Sequence, residues 1–141
     1  MHPNIQTTLT LHILRGLLAL TLCVCAVAAL LAFVVTVYAA QPFDGKSFHQ
    51  AQAAGKTILI DVTASWCPTC RHQRPIVEQI EKEKPNLVVY EVDFDSAKDI
   101  LRRFLVQYQS TLIVFKGTKE IGRSTGDTDP ARIRALIAQG F

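Results

Sequence analysis

The chain has 141 residues, 49% of them apolar and 19% charged, with a formal net charge of +3. At that length one domain is the expectation and two are nearly excluded. Four cysteines are too few for a disulfide scaffold, and the aliphatic content is too high for disorder.

The charge is unevenly distributed. Residues 1–40 hold one charged side chain, Arg15, whereas residues 41–141 hold the other fourteen Lys/Arg and all twelve Asp/Glu, a balance of +2. No basic stripe dominates, which argues against nucleic acid as a partner. Between Gly16 and Ala40 the only clearly polar residues are Thr21 and Thr36. This stretch follows Arg15 and a free amino terminus, the flank usually retained in the cytoplasm. A spanning helix needs about 20 apolar residues, and a signal-peptide core only about 7–15. The length therefore favours an uncleaved anchor over residues 16–40, with cleavage near Ala39 or Ala40 as the other reading. Either way residues 41–141 cross the membrane as a separate domain. They are either tethered to the inner membrane and facing the periplasm, or secreted into it. Cys23 and Cys25 lie inside the apolar segment and read as small apolar residues rather than ligands.

Beyond the leader, Gln41 to Gly45 reads as a turn-rich linker. Ser47–Ala54 reads as a short helix closed by Gly55. Residues 57–62 (Thr-Ile-Leu-Ile-Asp-Val) are a nearly continuous apolar run, as in a strand buried on both faces. Cys67–Lys84 has helical spacing, with Ile76, Val77 and Ile80 on one face and Pro75 inside as an expected kink. Leu87–Asp93 is a second strand, Ala97–Val106 a helix and Thr111–Phe115 a third strand. Lys116–Lys119 then turns into a strand near Glu120–Arg123. Asp129 followed by Pro130 is an N-cap with proline in the first turn, opening a last helix to about Ala138. Strands alternating with helices, closed by a hairpin, predict an α/β fold with a mixed sheet.

The chemistry sits in Trp66-Cys67-Pro68-Thr69-Cys70. A strand leads into Cys67, which opens a helix. Free amide N–H groups and the positive dipole end there favour a thiolate. Two intervening residues put Cys67 and Cys70 one turn apart, within reach of a disulfide. Cys67 would be the exposed attacker and Cys70 the resolving thiol. Pro68 suits the first turn, where its missing N–H has no intrahelical partner. Structural zinc is the rival, but it needs four ligands. Residues 41–141 offer only these two cysteines with His49 and His72, and no second cluster. A lone C-x-x-C in a βαβ context reads as redox. His72, Lys82, Lys84 and Arg102-Arg103 read as solvated side chains. Gly126-Asp127-Thr128-Asp129 reads as a turn plus helix cap rather than a calcium loop.

These residues resemble the thioredoxin family. The pattern Asp61-x-x-Ala64-x-Trp66-Cys67-x-x-Cys70 is similar to the family's buried acid, strand end and active-site loop. Pro75 matches its helix proline, Asp93 and Asp95 its strand end, Thr111-Leu112 with Phe115-Lys116 its penultimate strand, and Gly126 a glycine near the active site. The resemblance covers residues 44–141. It implies a thioredoxin-like three-layer α/β/α sandwich with a central mixed sheet, preceded by a transmembrane or signal helix. It also implies that Asp61 is a buried carboxylate whose pKa desolvation raises, placed to take the proton of Cys70. Trp66 would flank the active-site rim, and Thr69 would tune the thiolate. Gln109 and Ser110 would present backbone to substrate.

Two positions depart from the family pattern. Ser110 stands where the family places a cis-proline, and a cis bond before a non-proline costs about 2.5–4 kcal/mol, so Gln109–Ser110 is expected to be trans. A hydroxyl there is also placed to hydrogen-bond a thiolate or help ligate a metal. Glu91 stands where many cytoplasmic members carry lysine, which would raise the pKa of Asp61 further.

The resulting expectation is an extracytoplasmic thiol–disulfide oxidoreductase without cofactor or resident metal, acting as a monomer on protein thiols and disulfides. It would reduce envelope disulfides, because Thr69 lacks the imidazole of the oxidising C-P-H-C sites, and would draw electrons from a membrane thiol donor. A soft-metal (copper) carrier using Cys67 and Cys70 and a disulfide oxidase are the alternatives.

Overall fold

The computed structural model describes residues 40–141. The readings made for the leader, including the anchor over 16–40, the cleavage site at Ala39 and the bystander roles of Cys23 and Cys25, lie outside the described residues, Ala40 apart.

Nine elements follow in chain order among the described residues: β1 (Gln41–Pro42), α1 (Gly45–Ala53), β2 (Thr57–Thr63), α2 (Pro68–Glu83), β3 (Leu87–Asp93), α3 (Lys98–Arg103), β4 (Thr111–Lys116), β5 (Lys119–Thr125) and α4 (Pro130–Ala138). The sheet runs β1-β3-β2-β4-β5. β1 and β2 pair with β3 in parallel, while β4 is antiparallel to both β2 and β5. The expected mixed sheet is present.

β2 occupies the centre of the sheet, and its first six residues are all buried. That is why its sequence lacks the alternation of a half-exposed strand. Strand periodicity sorts its side chains to two faces. Ile58, Ile60 and Val62 meet Phe48 of α1 and Leu101 of α3 on one side. Leu59 meets Val77 and Ile80 of α2 and Ile133 and Ile137 of α4 on the other. Helices thus cover both faces of the sheet. Asp61, two residues after Leu59, points to the α2/α4 side.

Four boundaries differ from the sequence reading by more than one residue. Gln41-Pro42, expected as linker, forms the edge strand β1, paired with Tyr90 and Glu91. Two residues are too few for any periodicity, and proline is tolerated at an edge. α1 starts at Gly45 rather than Ser47, because Asp44 is the N-cap and accepts from the Ser47 N–H at 2.7 Å. α3 stops at Arg103 rather than Val106, where Leu105 turns left-handed with φ 54°. β5 extends over Lys119–Thr125, beyond the Glu120–Arg123 expected, with a bulge opposite Val114/Phe115. α2 runs unbroken through Pro75, and Asp129 caps α4 by accepting from the Arg132 N–H at 2.9 Å.

Candidate active site

β2 delivers the chain across Ala64 and Trp66 to Cys67, the N-cap of α2, whose backbone there is extended. Its Sγ takes the position a serine or aspartate oxygen fills at an ordinary cap, accepting from the Cys70 N–H at 3.0 Å. Pro68 opens the helix, and the next turn brings Cys70 back to Cys67 with the Cα atoms 5.3 Å apart and the disulfide closed.

Cys67 was expected to be exposed, but it is 1% exposed and Cys70 only 3%. The two sulfurs pack with Ala64 and Phe94, and the Ser110 hydroxyl covers them from the opposite loop. Ser110 Oγ lies 3.1 Å from Cys67 Sγ and 3.3 Å from Cys70 Sγ. No peptide bond among the described residues is cis, so Gln109–Ser110 is trans, as its chemistry requires. The chain instead passes the disulfide by a left-handed turn, with Ser110 at φ 57°.

That turn is held from two sides. The Ser110 carbonyl accepts from the Gly126 N–H at 2.9 Å and from Gln73 Nε2 at 3.3 Å. Gly126 has φ 72° and open space where a Cβ would stand, so the backbone angle, rather than a close approach, calls for glycine. Gln73 Nε2 also donates to the Asp127 carbonyl at 2.7 Å, and its Oε1 is buried without a protein partner. Two carbonyl acceptors at one atom fix that atom as the nitrogen. The sequence reading did not single out Gln73. Its spacing was nonetheless visible: Cys70, Gln73, Val77 and Ile80 fall on one buried stripe of α2.

Asp61 is 7% exposed. Its register partner on β3 is Glu91, which shares its face of the sheet. Burial raises the Asp61 pKa to about 7, with the Glu91 charge adding to the rise and the Arg74 guanidinium opposing it. So the glutamate acts as its charge predicts, and the countering cation comes from α2, a contribution absent from the sequence reading. A cleft of about 440 Å³, lined by Asp61, Arg74, Glu78, Glu81, Lys82 and Glu91, opens beside the carboxyl. Burial also raises the Glu81 pKa.

The remaining residues divide into rim and bystander. Trp66 is 54% exposed and donates from Nε1 to Asp95 at 2.8 Å, so it stands on the rim rather than in the core. Pro68 is exposed, and Thr69 and Gln109 are half-buried. His72 is exposed. Asp127 accepts from the Asp129 N–H and pairs with Arg132, as a turn and cap would. Among the described residues, no group of three or more His, Cys, Asp or Glu side chains is placed to hold a metal ion.

Comparison with known proteins accounts for this geometry. The Thioredoxin family model matches residues 39–139. A thioredoxin from Chlamydia trachomatis serovar D is 34% identical over 99 residues, covering 70% of this chain and 96% of that protein. An H-type thioredoxin from Fagopyrum esculentum is 34% identical over 93 residues, covering 66% of this chain and 79% of that one. The crystal structure of Trxlp from Edwardsiella tarda EIB202 superposes with a TM-score of 0.67 at 36% identity, over 70% of this chain and 98% of its own. The chain belongs to the thioredoxin family and is a thioredoxin-type thiol–disulfide oxidoreductase with Cys67 and Cys70 paired at disulfide distance.

Proposed function

We propose that this protein reduces protein disulfides outside the cytoplasm, attached to the membrane by its apolar leader and recharged by a membrane dithiol. The observation that carries the catalytic part is the Cys67–Cys70 pair at the start of α2, with a buried carboxyl of pKa about 7 on the sheet face that α2 covers.

In the reduced protein the Cys67 thiolate attacks one sulfur of a substrate disulfide. A Cys67–substrate bond forms and the other substrate sulfur leaves as thiolate. Cys70 then attacks Cys67 Sγ, closing the intramolecular disulfide and expelling the second substrate thiolate. Two electrons pass to the substrate, and the proton of Cys70 goes to ionised Asp61. A carboxyl of pKa about 7 is half ionised at neutral pH, so it both accepts this proton and returns it when the disulfide is reopened. Trp66 and the Gln109–Ser110 backbone border the sulfurs and are assigned to substrate contact. Thr69, between the cysteines, modulates the thiolate without supplying an imidazole.

The extracytoplasmic assignment rests on the leader, with Arg15 before a long apolar run and all the acids after it. Labelling Lys and Cys of intact cells with membrane-impermeant reagents tests it, since a protected domain is incompatible with export. Direction is tested by equilibrating the full-length protein with a dithiol buffer. A reductant lies nearer about −270 mV, whereas a potential near about −120 mV identifies an oxidase. Insulin-disulfide reduction measures turnover, and Cys70→Ser traps substrates as mixed disulfides.

A further inference from the structure

Ser110 has three properties that a spacer residue would not need. It is buried, its backbone is left-handed, and its hydroxyl lies within hydrogen-bond distance of both sulfurs. With the disulfide closed neither sulfur carries a hydrogen, so Ser110 is the donor and its single O–H hydrogen is shared between the two sulfurs. The contact to Cys67, the attacking sulfur, is the shorter one.

The backbone is built to hold this arrangement. A non-glycine residue at φ 57° is uncommon and carries a conformational cost. Here the carbonyl of that residue is tied to the Gly126 N–H and to Gln73 Nε2. Gln73 in turn is anchored to Asp127. Gln73 therefore positions Ser110 and does not touch the sulfurs. The cradle ties α2, the β4 entry loop and the β5 exit into one unit around a single hydroxyl.

We propose that the Ser110 hydroxyl is a catalytic hydrogen-bond donor that holds the Cys67 sulfur when it becomes a thiolate. This deepens the oxidoreductase reading and rests on it. A hydrogen bond to an ionised sulfur is stronger than one to a neutral sulfur, so it stabilises the reduced, ionised form over the disulfide. The donor serves both half-reactions. When Cys67 attacks, the bond keeps it ionised. When the membrane dithiol reduces the disulfide, the first donor thiolate attacks Cys67 Sγ and Cys70 leaves. The second donor thiolate then attacks the donor sulfur bound to Cys67, closing the donor's own disulfide. Cys67 departs as thiolate onto the Ser110 O–H. Two electrons enter the protein and the donor is oxidised.

The test compares Ser110→Ala and Ser110→Gly with wild type in the full-length chain. Both remove the hydroxyl, but glycine suits φ 57° and alanine does not, so the two separate hydrogen bonding from backbone strain. The readouts are the pH midpoint of Cys67 alkylation, the redox potential and Tm. Both variants are expected to raise the midpoint by about one unit, a tenfold loss of thiolate below it. Both should also move the potential negative, by up to about 30 mV for that tenfold change. Their Tm values should differ from each other, with glycine higher. A midpoint and potential unchanged in both variants would overturn the proposal. So would a midpoint that moves in only one of them, because it would then be tracking the backbone. Wild-type insulin reduction is measured alongside. Its absence counts against the oxidoreductase reading, while the alkylation midpoints still decide whether Ser110 holds the thiolate.

Discussion

The two faces of the sheet are built on opposite principles. The α1/α3 face is an aromatic core: Phe48 sits 5.3 Å from Phe43, 5.5 Å from Phe104, 5.7 Å from Phe115 and 5.9 Å from Tyr90, ring centre to ring centre. Its edge-to-face pairs add to simple burial. The α2/α4 face has an aliphatic centre but admits polar groups at its margin, with Asp61, Gln73 and Glu81 all buried there. Each is costly to bury, and each lies on α2 or on the strand face that α2 covers. Both sides of β2 bury an apolar cluster, but the buried acids and Gln73 lie on the α2/α4 side, so substitutions on the two faces should move different observables.

The largest effect expected is on the chemistry. Cys67→Ala should reduce insulin turnover roughly a thousandfold or more, to background, since the thiolate proposed to attack is gone. The other face is tested by Phe48→Ala, which should cost about 3–5 kcal/mol in denaturant unfolding. It should leave the redox potential of the folded fraction unchanged. A shifted potential would mean that the two faces are coupled.

Asp61→Asn probes the polar face through pH. A carboxyl whose pKa rises on folding supports the folded state at low pH, and that support is lost as pH rises through the folded value, here about 7. Asparagine removes the burden of the buried charge. The variant should therefore gain stability above pH 7, by up to about 4 kcal/mol, and little below pH 4. Its resolution step should slow roughly a hundredfold and lose its rise with pH near neutrality. Urea melts at pH 5 and pH 8 with single-turnover kinetics check both, and equal gains at the two pH values would place the charge elsewhere.

Gln73→Leu should cost about 1–2 kcal/mol, because the Ser110 and Asp127 carbonyls each lose a buried donor. The smallest effect is expected from Glu91→Lys, which reverses the charge beside Asp61. The pH midpoint of resolution should fall, by about a unit or less.

Much of the fold was legible because burial writes itself into sequence. The run from Thr57 to Val62 reads as a central strand since both its faces are covered, and Asp129-Pro130 marks the start of α4 by cap chemistry alone. The edge strand at Gln41-Pro42 was not legible. Two residues carry no period, and their pairing depends on a β3 more than 40 positions away. The redox pair was legible from spacing, and Asp61 from a charge inside an apolar run.

The surroundings of the pair were not legible. That Cys67 is covered, that Gln73 of α2 reaches Ser110 while the Arg74 charge acts on Asp61, and that Gly126 ties to Ser110 all depend on segments distant in sequence meeting at one end of the sheet. The sequence by itself determined the α/β order and the cysteine pair, and its resemblance to the family pointed to the buried acid and to serine in the place of a cis-proline. Local rules suffice for the order and the pair, since strand burial, helix capping and cysteine spacing are properties of a few neighbouring residues. Only the tertiary structure decided where the serine hydroxyl lies. Its hydroxyl meets Cys67 Sγ across 43 residues of sequence. A contact of that kind is made by packing, to which chain-local preferences are blind.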